Sequence, residues 1–257
     1  FFYEISLVSI YDYASAESIS VSDRITHGNF VTTLGFRHED VDYWEYTAGT
    51  HGKKTETENS ATMLAASTVY NMGNGQSAFA AYSKGYQPTG VSTQEPEESD
   101  NYEVGYRKVS AGSFLEVIGF FNDYDQLIDT CLAAAGCTGD TGSTTNAGAA
   151  EIKGIEFQYR INNLFAGPEM KGASSMSSTR YPFLVSGMIQ DSEYKGQNLN
   201  YNGKTIAYVP DFQLYTSLGM ETTNWSVGLG AKYYDNMFTD NMNVFRTVQS
   251  FIYDLHS

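Results

Sequence analysis

The chain has no run of about 18 apolar residues, so it contains no transmembrane helix. Basic residues are scarce: 15 Lys and Arg face 30 Asp and Glu, for a net charge of −15. No basic stripe is visible, which excludes nucleic acid as a partner. Proline is rare, at 5 in 257 residues, and there are only 2 cysteines. Cys131 and Cys137 sit in a Gly/Ala/Thr-rich stretch with no nearby His, a poor zinc site. A local disulfide closing a surface loop is the reading taken for them; a pair of free thiols is the alternative. Catalytic constellations are missing too. There is no nucleophile elbow and no His pair at metal-ligand spacing. His38-Glu39-Asp40 reads as a solvated acidic patch. Asp140 to Glu151 has the length of a calcium loop but carries Thr145 where that loop needs Gly. Gly73-Asn74-Gly75 is a turn signal without the Lys-Ser/Thr of a phosphate loop. The chain is therefore not expected to be an enzyme.

What it has in quantity is aromatic residues, 14% of the chain, with 20 Tyr and 15 Phe, and strict alternation of polar and apolar positions. Ile155, Phe157, Tyr159 and Ile161 interleave with Glu156, Gln158, Arg160 and Asn162. Trp225, Val227, Leu229 and Tyr233 interleave with Ser226, Gly228, Gly230 and Lys232. Successive side chains of a strand point to opposite faces, so each segment has one apolar and one polar face. Such strands either fold over a soluble core or close into a barrel whose apolar face meets lipid.

About a dozen strands are expected, near 2–12, 16–26, 30–42, 61–71, 77–86, 100–109, 113–125, 149–162, 180–193, 207–220, 224–234 and 246–255. About ten residues is what a tilted strand needs to cross a bilayer, whereas soluble strands average nearer five or six. Short turns fall at 26–29, 73–75, 110–112 and 221–224. Longer loops fall at 43–60, 87–99, 126–148, 194–206 and 235–245, with acids concentrated in Glu95–Asp100 and Asp123–Asp129. Short turns at one end and long loops at the other is the asymmetry of outer-membrane barrels. The segment 163–179 breaks it, being long where a short turn is due. Tyr102, Val104 and Tyr106, and Phe212, Leu214, Leu218 and Met220, are then expected to face lipid. Glu103, Gly105 and Arg107, and Gln213, Ser217, Gly219 and Glu221, are expected to face the interior.

Five segments in order carry a resemblance. They are Tyr82-Ser83-Lys84-Gly85-Tyr86-Gln87-Pro88; Glu95-Pro96-Glu97-Glu98-Ser99 with Asn101-Tyr102-Glu103-Val104-Gly105-Tyr106-Arg107; Phe120-Phe121-Asn122-Asp123-Tyr124-Asp125-Gln126-Leu127-Ile128; Asn146-Ala147-Gly148 with Ile152-Lys153-Gly154-Ile155-Glu156; and Tyr208-Val209-Pro210-Asp211-Phe212-Gln213-Leu214. Together they resemble the strands of TonB-dependent outer-membrane receptors over roughly residues 77–220. The cysteine-bearing loop looks most like the ferric-citrate subgroup.

The resemblance implies an all-β transmembrane antiparallel barrel of about 22 strands with a plugged lumen. Residues 1–257 would supply one partial barrel domain in the outer membrane of a Gram-negative bacterium. No plug, TonB box or terminal aromatic signal is seen, and these are expected before Phe1 and after Ser257. The implied activity is import of a ferric chelate, a siderophore or ferric citrate. TonB would act through a segment outside this chain, and outer-membrane lipid and lipopolysaccharide would surround the barrel. No cofactor is expected, iron entering only as part of the cargo. Cobalamin, haem or a saccharide as ligand, and a passive channel, are the alternatives. Ligand contacts are expected on the long-loop side, where aromatic rings and amides suit a ring-rich chelate. The candidates are Trp44, Tyr46, Tyr86, Gln87, Gln126, Tyr194, Tyr201 and Asn236.

Overall fold

The computed structural model describes residues 10–47, 54–130, 142, 144–146, 148–165, 179–196 and 200–256. Cys131 and Cys137 lie outside the described residues.

Eleven strands form one antiparallel sheet, each paired with its neighbours in chain order. They are β1 (Ile10–His27), β2 (Phe30–Thr47), β3 (Lys54–Gly73), β4 (Gln76–Gln87), β5 (Glu97–Ser110), β6 (Ser113–Asp125), β9 (Ala150–Ile161), β10 (Phe183–Tyr194), β11 (Phe212–Glu221), β12 (Ser226–Tyr234) and β13 (Ser250–His256). Between β6 and β9 a small separate hairpin pairs β7 (Ile128–Thr130) with β8 (Thr144–Asn146). Strands β1 and β13 are the free edges of this open sheet.

Several boundaries differ from expectation. The break between 12 and 16 does not exist: Tyr13, Ala14, Ser15 and Ala16 pair without interruption against β2. Small residues do not end a strand when no Gly, Pro or Asn turns the chain. The loop expected over 43–60 is mostly strand, because Tyr43 through Tyr46 pair with Thr57 through Lys54. Two strands start late. Pro210 lacks a ladder donor and Tyr208 takes a positive φ of 62°, so β11 begins only at Phe212. Between β12 and β13, Arg246 makes an isolated bridge to Phe238 before β13 starts at Ser250. Of the odd segment 163–179 only residues 163–165 and 179 are described, and they lie at the short-turn end, where Arg180 bridges Glu221 and their side chains form a 3.0 Å ion pair.

Register sorts the side chains onto two faces. One paired row runs Phe30, Tyr70, Ala78, Tyr106, Val117, Phe157, Gly187, Leu214, Tyr233, Phe251. Val104, Ile155 and Ile189 lie two residues away from it on the same face, and Leu229 four. The row starts at the first residue of β2 yet meets β5 at Tyr106, four residues short of its end at Ser110. It meets β11 at Leu214, seven short of Glu221. Rows that climb in this way are the stagger of tilted strands in a barrel wall.

The apolar face is bare. Val104 is 64% exposed and Leu229 57% exposed. A soluble sandwich would bury these side chains under a second layer, and no such layer exists among the described residues. An exposed apolar face of this size marks a surface that meets lipid or another protein. Tyr82, Tyr102 and Phe121 form an aromatic file along its long-loop margin, with ring centroids 5.2 and 6.2 Å apart. Charges resume beyond it, in the pairs Lys84–Glu98 at 2.6 Å and Lys153–Asp191 at 3.4 Å. Asp23 of β1 departs from the pattern and stands on the apolar face.

The opposite face carries Glu103, Arg107, Glu116, Glu156, Gln158, Gln213 and Lys232. It is not purely polar. Phe79 lies flat over Gly105, where a Cβ would run into the ring. The Arg107 guanidinium stacks on the same ring, 5.4 Å from its centroid, and is ion-paired to Glu116. Glycine here is a packing requirement rather than a conformational one.

Candidate functional site

Two features lie on the polar side of the sheet. The first is a groove of about 390 Å³ in the wall. Glu116, Glu156, Gln158, Gln213, Tyr215 and Lys232 contribute to its lining. Lys232 Nζ lies 5.7 Å from the centroid of the Tyr215 ring. The groove offers both charge signs and several amides, which suits a polar ligand or a polar protein surface.

The second is a set of long connections folded onto one another at the far end. The stretch after β4 is clamped to the β2–β3 extension. Asn59 is buried; its Nδ2 donates to Thr89 O at 3.0 Å and its Oδ1 accepts from Thr89 N–H at 3.2 Å. Thr57 Oγ1 donates to Gly90 O at 3.3 Å. Such reciprocal pairing satisfies backbone groups that would otherwise be stranded in a loop.

The next connection meets the first through Asn146. Its Oδ1 accepts from Glu95 N–H at 2.9 Å, while Nδ2 donates to Glu95 O at 2.9 Å and Gln126 O at 3.0 Å. Glu97 Oε2 accepts from Ile128 N–H at 2.9 Å. Gln126 itself sits at φ 54°, the left-handed turn that ends β6.

Beyond this, Ala150, Tyr194 and Tyr201 form a small buried core, flanked by Tyr124, Leu127, Ile206 and Met242. The Tyr194 and Tyr201 rings meet edge to face at 4.7 Å. Tyr194 hydroxyl donates to Asn241 Oδ1 at 3.0 Å. Asn243 holds both backbone groups of Thr205, at 2.8 Å each.

Asp240 organises the last connection. Its carboxylate accepts N–H bonds from Met242 at 3.1 Å and Phe245 at 2.7 Å, and from Val244 at 3.1 and 3.2 Å. Burial pushes its carboxyl up, but these donors outweigh that and leave it below its ordinary 3.8. A lowered folded value stabilises the loop above the unfolded pKa, and that contribution is lost as pH falls through the folded one. Asp240→Asn is therefore expected to loosen residues 240–245 at neutral pH. Amide exchange should show faster exchange there than in the parent at pH 7, with the difference vanishing in strong acid.

The expected site residues distribute unevenly. Tyr194 and Tyr201 are brought together, but as 1% and 2% exposed core residues. Their rings hold the loops in place and present no free face to a ligand. Trp44 lies in β2, on the alternation face of Phe36, and donates from Nε1 to Glu56 at 2.7 Å. Tyr46 lies in the same strand, opposite Lys54. Tyr86 and Gln87 end β4, and the Tyr86 hydroxyl is enclosed without a hydrogen-bond partner among the described residues. Asn236 accepts from Arg246 at 2.8 Å, and that guanidinium stacks 3.9 Å from the Phe238 centroid. These residues do not converge on one point. The residues that build the loop end are instead Asn59, Thr89, Asn146, Asp240, Asn241 and Asn243. Only Asn146 carried a sequence signal, through its Asn-Ala-Gly segment.

The family described as TonB dependent receptor-like, beta-barrel, matches residues 5–256. A comparison with curated protein sequences gives no match. Among solved structures, the chain is similar to the ferric citrate transporter FecA in its unliganded form. The identity is 17% and the TM-score 0.77, covering 96% of this chain and 37% of that one. It is also similar to the ferric yersiniabactin uptake receptor FyuA of Yersinia pestis, at 18% identity and TM-score 0.70, over 96% of this chain and 39% of that one. The copper transporter OprC is similar at 9% identity and TM-score 0.67, over 96% and 39%. At these identities the likeness shows the fold alone. The chain spans well under half the length of each of these structures.

Proposed function

Because the chain belongs to the TonB-dependent receptor family, as a portion of its β-barrel, we propose that it forms part of an outer-membrane receptor that binds and imports a ferric chelate. The family is one of transporters rather than catalysts, which agrees with the reading of the sequence as non-enzymatic. The observation that carries the proposal is the bare apolar face opposite a polar wall. That division suits a sheet with lipid on one side and a water-filled or plugged interior on the other. In this reading residues 1–257 are one partial barrel domain, and the barrel closes through strands outside them. Energy is delivered by TonB through a segment outside the chain, and lipid and lipopolysaccharide contact the apolar face.

Ferric cargo is supported by the company the fold keeps: FecA and FyuA carry ferric chelates by name. The ligand is met by the interlocked loops and the groove wall. Expression in iron-limited cells tests the cargo class, and a severalfold rise is expected. Uptake of radiolabelled ferric chelates should fall to background when TonB is deleted. Unchanged expression together with TonB-independent uptake would overturn the proposal.

A further inference from the structure

The long connections are not independent lids. Asn59 ties Thr89 to the β2–β3 extension. Asn146 ties Glu95 of that same connection to Gln126 of the next. Leu127 N–H donates to Gly148 O at 2.8 Å, and Lys195 N–H to Ala149 O at 2.8 Å, carrying the contact to the connection after β10. Tyr194–Asn241 and Asn243–Thr205 carry it to the one after β12. Four connections are thus joined in series, from β3 to β13.

We propose that Asn146 is the joint of this series: it couples the connection carrying Thr89 to the described parts of the three beyond it, so that loosening at one end is passed on to the other. The chemistry suits a joint. One amide pairs with both backbone groups of Glu95, as a neighbouring strand would, and spends its second N–H on the Gln126 carbonyl. All three bonds run from a single side chain, so one rotamer change releases Glu95 and Gln126 together. A rigid core would not behave in this way, because apolar contacts loosen by degrees. The Glu97–Ile128 bond stands beside the joint but leaves Glu95 untouched. The inference does not depend on which ligand the receptor takes.

Hydrogen exchange read by mass spectrometry on the complete receptor in detergent tests it. Asn59→Ala frees the Thr89 end, far from Asn146. In the parent background it is expected to raise exchange at 88–96 and also at 201–206 and 240–245, by about fivefold for one lost hydrogen bond. In the Asn146→Ala background the rise should stop at 88–96. Asn146→Asp should uncouple as Ala does, because it sets an oxygen against the carbonyls of Glu95 and Gln126. Thr57→Val, which removes only the bond to Gly90, repeats the first arm should Asn59→Ala fail to assemble. Propagation that is absent in the parent background, or that persists unchanged in Asn146→Ala, would overturn the proposal.

Discussion

Arginine at Leu229 is expected to remove most of the receptor from the outer membrane. Leu229 stands on the bare apolar face, directly between Leu218 and Leu255 on the flanking strands, and is 57% exposed. A guanidinium in that position meets hydrocarbon and costs about 2–4 kcal/mol near the bilayer middle. That is a large part of the net stability of an ordinary domain. Ser217 is the control. It lies one residue from Leu218 on β11, and the strand period of two turns it to the polar side. Ser217→Arg adds the same charge but places it in the interior, so near-normal assembly is expected. The measurement is the heat-modifiable folded band in outer-membrane fractions. Equal loss in the two variants would mean that the faces are wrongly assigned.

Replacing Gly75 by Val should be nearly as damaging, for a different reason. The β3–β4 turn places Asn74 at φ 51° and Gly75 at φ 73°. Two consecutive positive values mark the type I′ turn that matches the twist of a tight hairpin. A β-branched residue there suffers about 1–2 kcal/mol of backbone strain alone. Beyond that, a Cβ on Gly75 would run into the Val109 carbonyl oxygen. Val109 N–H also donates to Gly75 O at 2.7 Å, so the turn cannot back away without breaking the link to β5. Slow, incomplete refolding into detergent micelles is expected, with register errors in β3 to β5. Asn74→Ala should be milder, since it carries strain without the clash. Refolding of Gly75→Val at the parental rate and yield would contradict this account of the turn.

Much of the wall was legible from residue order. Ile155, Phe157 and Tyr159 alternate with Glu156, Gln158 and Arg160 because a strand with lipid on one side has no other solution. The turn at Asn74-Gly75 was legible because few residues accept its positive φ angles. The loop end was hidden. Asn59, Asn241 and Asn243 look like any solvated amide in sequence, and only their partners, tens of residues away, reveal what they hold. The burial of Tyr194 and Tyr201 was hidden for the same reason. An exposed ligand-gripping ring and a buried structural ring are the same residue type until packing distinguishes them. The long β1 was divided in sequence because Ala14-Ser15-Ala16 mimics a loop in composition while its backbone stays paired.

By itself the order of residues determined the period of two, the tight turns, and hence a meandering sheet with one oily and one wet side. These are local matters, fixed by sterics and by the solvent each side chain prefers. Tertiary structure decided the stagger of the rows, the departures at each strand end, and the interlocking of distant loops into one assembly. Those depend on which backbone groups find partners across long stretches of chain, and no local pattern encodes that pairing.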